Sequence, residues 1–110
     1  MSMFFETAHQ YFRAFAAKDA VLLRTVLADN VSLRDWEQNA QGLTSVLAVN
    51  QALFDAVGTI QVTPLRLFAD GQALACELEI AIDGNPPLKV LDILEFDKEG
   101  KIFAVRAFKG

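Results

Sequence analysis

Hydrophobic positions recur near the start of the chain at the spacing of a helix. Phe4, Ala8, Tyr11, Phe12 and Phe15 fall on one side, and Glu6, His9, Gln10 and Arg13 on the other. That pattern predicts an amphipathic helix from about Met3 to Ala17. Asp19 has the short acceptor side chain of an N-cap and predicts a second helix, Ala20 to Ala28, turning Leu22, Leu23, Val26 and Leu27 inward. Asp29-Asn30 is a turn signal, after which the period changes to two and a short strand is predicted over Val31–Asp35. Its faces separate as Val31, Leu33 and Asp35 against Ser32, Arg34 and Trp36. Glu37 to Gln41 reads as a polar loop. Gly42 opens a third helix, Leu43 to Val57, whose core side is Val46, Leu47, Asn50, Leu53, Phe54 and Val57, and Gly58 reads as the glycine that ends it.

The rest of the chain is written in strands: Thr59–Ala69, Gln72–Ile82, and a hairpin from Leu88 to Phe108 that turns at Asp97-Lys-Glu-Gly100. Asp70-Gly71 and Asp83-Gly84-Asn85-Pro86-Pro87 supply the other turns. Helices first and an antiparallel meander afterwards predict an α+β fold with the helices on one face of the sheet. In the hairpin, Leu88, Val90, Asp92, Leu94 and Phe96 share one side. A carboxylate in the middle of an apolar row is costly unless it is paired, hydrogen-bonded or protonated, so Asp92 is the residue to explain. The opposite face is half apolar. Leu91 and Ile93 lie beside Lys89 and Glu95, and Ile102, Ala104 and Phe108 accompany Arg106, which predicts a homodimer formed through the sheet.

Composition narrows the class. The chain has 110 residues, 53% hydrophobic and 22% charged, which predicts one globular domain over residues 1–110. Its net charge of −4 carries no basic stripe, so nucleic acid and anionic membrane surfaces are not the expected partners. The single cysteine, Cys76, allows no internal disulfide and sits in the apolar row Leu74, Cys76, Leu78, Ile80, Ile82, as inert core. No apolar run reaches membrane-spanning length and no basic-then-apolar leader is seen, so the expected location is the cytoplasm.

Three polar tips therefore point into apolar surroundings: Tyr11, Asp35 and Asp92. Each has an ordinary explanation. The Tyr11 hydroxyl can bond a carbonyl, Asp35 can cap the loop after its strand, and Asp92 can pair with Arg34 or Arg66. The alternative is that all of them meet around one void for chemistry.

The segments Tyr11-Phe-Arg-Ala-Phe-Ala-Ala-Lys-Asp-Ala20, Leu27-Ala-Asp-Asn-Val-Ser-Leu-Arg-Asp35, Gly42 and Asp92-Ile-Leu-Glu-Phe-Asp-Lys-Glu-Gly-Lys-Ile102 resemble the nuclear-transport-factor-2-like superfamily, in its ketosteroid isomerase and SnoaL-like branches. The resemblance covers nearly the whole chain. It implies a curved antiparallel sheet forming a cone, packed with about three N-terminal helices. It also implies that Asp35 moves a proton as general base, while Tyr11 and a neutral Asp92 donate hydrogen bonds to a substrate oxyanion. Phe15, Trp36, Asn50, Phe54 and Val105 would line the substrate pocket. No cofactor and no metal is expected, and the partner would be a small apolar or carbonyl-containing molecule. Trp36 stands where the isomerases usually carry proline, Asn50 where a supporting tyrosine is found, and Lys109 where a pocket aromatic is expected, so a steroid is not the expected substrate. The same cone also suits binding of a small apolar ligand without turnover, or a dimeric interaction module.

Overall fold

The computed structural model describes residues 2–110. In chain order the elements are α1 (Ser2–Ala16), α2 (Ala20–Val26), β1 (Leu27–Arg34), β2 (Asn39–Gln41), α3 (Leu43–Ala56), β3 (Ile60–Asp70), β4 (Ala73–Ile82), β5 (Leu88–Phe96) and β6 (Ile102–Lys109). The helices cover one face of a single six-stranded sheet of order β2-β1-β6-β5-β4-β3. The core lies between the two layers, where Leu23, Val31, Leu74, Leu94, Phe96 and Ile102 are fully buried. None of the described helices is long and apolar enough to cross a membrane.

Local chemistry sets the element boundaries. Asp19 is the N-cap of α2, its carboxylate accepting from the Leu22 N–H at 3.0 Å. The helix is shorter than its apolar spacing predicts, because Leu27 is already extended and β1 begins there, through the Asp29-Asn30 turn signal. Pairing with β6 overrides that local preference. Likewise the expected polar loop 37–41 contains β2, which pairs antiparallel with β1 through Leu33↔Ala40. At the hairpin turn Gly100 takes φ +83°, a conformation that favours glycine.

Gly58 has a different role from the left-handed helix terminator expected of it. Its φ is not positive; instead a Cβ there would come within 2.8 Å of the Asp83 Oδ1, which accepts from the Gly58 and Thr59 N–H groups at 2.7 and 2.8 Å. The end of α3 is held from another side by Lys18, whose ammonium donates to the carbonyls of Phe54 and Val57 at 3.1 and 2.7 Å. It thereby satisfies orphan acceptors of the last turn and opposes the negative end of the helix dipole.

Two features of the sheet depart from an antiparallel meander. β1 pairs with β6 in parallel, so the sheet is mixed. In addition, the register of β5 on β6 shifts between Glu95↔Ala104 and Phe96↔Ile102. The extra residue makes a bulge, and a bulge reverses the facing of what precedes it. Ile102, expected on the outer face, is consequently in the core with no exposure.

Candidate functional site

The inward row of β5 is as its alternation predicts from Val90 to Phe96: Val90, Asp92, Leu94 and Phe96 are all buried, and only Leu88 opens to solvent. Phe4 of α1 stacks on Phe96 with ring centroids 4.6 Å apart, pinning the start of the helix to the end of β5. Two turns further along α1, Tyr11 is buried against Phe12 and Phe15.

Sheet register brings the two carboxylates together. Asp92 lies across from Cys76 on β4 and Ala107 on β6. On the far side of β6, β1 runs parallel with Leu33↔Val105 and Arg34↔Arg106, so the next residue, Asp35, comes level with Ala107. Leu33, Val105 and Leu94 are inward partners, and Asp35 follows Leu33 by two, so Asp35 faces the same interior as Asp92. The two backbones are separated by two strand spacings, roughly 10 Å, which leaves their side chains room to converge. The residues between and beside them, Ala107 and Cys76, are small. A cavity opens beside Ala107, with Val105, Leu78 and Val90 of the adjoining levels also in its wall.

That cavity has a volume of about 580 Å³, and Tyr11, Asp35 and Asp92 all border it. Phe15, Trp36, Asn50 and Val105 line it as expected; Phe54 does not, and packs edge-on behind Phe15 at 5.4 Å instead. Most of the wall is apolar. Trp36, Leu88 and Lys109 stand at its exposed rim, with the Lys109 ammonium 5.8 Å from the centre of the Trp36 ring. Asn50 is 95% buried, and its Nδ2 has no hydrogen-bond partner among the described residues.

Each polar tip can now be placed. Asp92 pairs with neither Arg34 nor Arg66, both of which are exposed. The ion pairs among the described residues are Lys89–Glu79 and Arg106–Glu95, on the other face. Burial first, and the neighbouring Asp35 charge second, raise the Asp92 carboxyl to about 7. Burial, followed by the charges of Asp92 and Asp35, pushes the Tyr11 hydroxyl far up, so it stays a donor at any working pH. Cys76 is pushed up to about 12 by burial and then by Asp92, which keeps it an inert thiol. Asp35 does cap its loop: Oδ1 accepts from the Glu37 and Gln38 N–H groups at 2.7 and 2.6 Å. Both bonds go to one oxygen, and the other accepts none among the described residues. Chemically the arrangement offers a carboxylate anchored at a wet rim, facing a buried phenol and a buried acid of near-neutral affinity for its proton. No cluster of metal-ligating side chains is found among the described residues.

Asn50 is legible in the sequence as a polar residue on a core-facing helix side and, through the family resemblance, as a pocket residue. What the sequence did not signal is that its amide is unpaired.

Comparison with known proteins gives a family. A model of the SnoaL-like domain matches residues 8–105. The fold is similar to that of an NTF2-like protein from Cytophaga hutchinsonii, with a TM-score of 0.81 at 10% identity, covering 97% of this chain and 89% of the other. It is also similar to a candidate ketosteroid isomerase from Kribbella flavida, with TM-score 0.85, 23% identity, and 99% and 78% of the two chains covered. An epoxide hydrolase of LEH-like type from M. tuberculosis superposes with TM-score 0.85 at 19% identity, over 99% of this chain and 84% of its own. At these identities the likeness describes the fold. No curated protein sequence matches the chain.

Proposed function

Since the chain belongs to the SnoaL-like domain family, we propose that it is a cytoplasmic proton-transfer enzyme acting next to a carbonyl group of a small, largely apolar molecule. The free oxygen of Asp35 takes the proton from the carbon beside the carbonyl, and the electron pair of that C–H bond moves onto the carbonyl oxygen. Tyr11 and protonated Asp92 donate hydrogen bonds to the resulting enolate, and Asp35 returns the proton to the same or a conjugated carbon. Charge develops inside an apolar enclosure, where fixed donors are worth more than in water. A cavity of about 580 Å³ lies in the range of sites that engulf a small organic ligand.

The observation that carries this reading is that Tyr11, Asp35 and Asp92 border one cavity, with a neutral form of Asp92 favoured by its burial. The test is exchange of α-deuterium into 2-tetralone, or isomerisation of a small β,γ-enone, by wild type, Asp35→Asn and Tyr11→Phe. Asp35→Asn keeps the Oδ1 acceptor of the loop cap and removes the base, so a loss of about 10²–10⁴-fold is expected. Equal rates in wild type and Asp35→Asn, or no wild-type rate above buffer, reject the enzyme.

One observation favours a second reading. The two bonds to Asp35 Oδ1 give that residue a structural reason to exist, which suits a cavity that holds an apolar ligand without turnover. Retention of a small molecule through purification, together with no exchange activity, would select it.

A homodimer through the outer sheet face accompanies either reading. Phe68, Phe108 and Leu91 are 54%, 53% and 38% exposed there, around a hollow they border with Leu65, and a partner copy would cover them.

A further inference from the structure

Asn50 is the polar member of the buried row of α3, between Val46 and Leu47 on one turn and Phe54 on the next. An aliphatic residue there would continue the packing pattern. Instead the site holds an amide that is 5% exposed, and its Nδ2 has no partner among the described residues. Buried polar groups are normally hydrogen-bonded, and leaving one unpaired works against folding. The unpaired Nδ2 gains nothing from the fold. Asn50 does, however, border the cavity, and it comes from α3, whereas Tyr11 comes from α1 and the two acids from β5 and the end of β1. Polar groups from separate parts of the fold thus border one cavity. Tyr11 and Asp92 form a donor pair, and the Asn50 amide adds an unpaired donor, Nδ2, beside its Oδ1 acceptor.

We infer that Asn50 is a specificity-determining donor, and that the substrate carries a second oxygen acceptor, distinct from the reacting carbonyl, which receives the Nδ2 hydrogen. The ligand class is a small apolar skeleton with a ketone and, elsewhere on it, a carbonyl, ether or hydroxyl oxygen. The identity of the reacting end rests on the proton-transfer reading; the contact of Asn50 with an acceptor does not require turnover.

The probes are 2-tetralones that bear either a methoxy or an ethyl group at ring position 5, 6 or 7. The two groups match in size and differ in the acceptor oxygen. Trp36 is the sole tryptophan and lines the cavity, so its fluorescence reports binding directly. In wild type, at least one methoxy compound is expected to bind about tenfold more tightly than its ethyl partner. In Asn50→Leu that preference disappears while ethyl binding is kept. Free of ligand, Asn50→Leu is expected to melt higher by roughly 4–8 °C, since it replaces an unpaired amide with packing. The inference is overturned if no methoxy compound is preferred by wild type, if the preference survives in Asn50→Leu, or if that variant melts below wild type. Deuterium exchange on the same compounds separates the two claims. Preference without exchange leaves Asn50 as assigned and removes the enzyme, whereas exchange without preference does the reverse.

Discussion

Replacing Asp92 by asparagine should make the protein more stable, and by an amount that depends on pH. The carboxyl is raised from its ordinary 3.8 to about 7 by burial and by Asp35. Below pH 3.8 the group is protonated in both folded and unfolded chains and contributes no difference. Between 3.8 and 7 the folded chain holds the proton and the unfolded chain has lost it, so stability falls as pH rises. Above 7 the full penalty of a buried charge is present and constant. At ~1.36 kcal/mol per pH unit, the interval from 3.8 to about 7 is worth about 4 kcal/mol. Asparagine has nearly the same shape and is neutral throughout, so it does not suffer that penalty.

Urea unfolding of wild type and Asp92→Asn from about pH 4 to pH 8 measures this directly. The variant's advantage should be close to zero at the acid end and grow to about 4 kcal/mol at the alkaline end. In an Asp35→Asn background the growth should be smaller and end at lower pH, because the charge that helps hold the proton on Asp92 is gone. A difference between wild type and Asp92→Asn that stays flat across the range would refute the reasoning. It would mean that the carboxylate is already ionised and satisfied in the fold. The same titration limits the proposed chemistry: exchange activity should decline as pH rises through about 7, because an ionised Asp92 repels the enolate it would otherwise bind.

Three further outcomes follow from the geometry. Lys18→Met should cost about 1–2 kcal/mol in chemical denaturation, through loss of the two bonds to the end of α3; because Lys18 has φ +56°, Lys18→Gly should recover part of that loss, and equal losses would discount the backbone contribution. Ala107→Leu should place bulk between Asp35 and Asp92 and abolish ligand quenching of Trp36 while the chain remains folded by circular dichroism; unchanged binding would show that the ligand sits elsewhere. Light scattering at micromolar concentration should report twice the chain mass, with Phe108→Glu giving a monomer, and a monomeric wild type would refute the dimer.

Much of this molecule is legible in its one-dimensional pattern, and the unread part has a common cause. Periodicity specifies which side of an element a residue occupies, and it did so for α1, for the buried side of α3 and for the row that carries Asp92. It does not specify which strand lies beside which. β1 and β6 come from opposite ends of the chain and pair in parallel, a contact no local signal announces. For the same reason β2, three residues long, reads as loop until β1 is there to receive it. The bulge that turns Ile102 inward is a one-residue event within an otherwise alternating run, and alternation assigns it to the wrong face.

The site sits where these two kinds of information meet. That Asp92 is anomalous follows from its own strand. That Asp35 answers it follows from a register, Arg34↔Arg106, set by the whole sheet. Ala107, the small neighbour of Asp92 on β6, is part of the cavity wall, while further along the strands Leu74 and Leu94 are fully buried. An acid carried into a filled core would be merely destabilising. Beside small neighbours it lines a space into which a ligand oxygen can fit, and the Asn50 amide, also unpaired on the opposing helix, is unfavourable for the same reason and gains from the same occupant. Two independently costly polar groups facing one hollow are more simply explained by the molecule that enters it than by two separate lapses in packing.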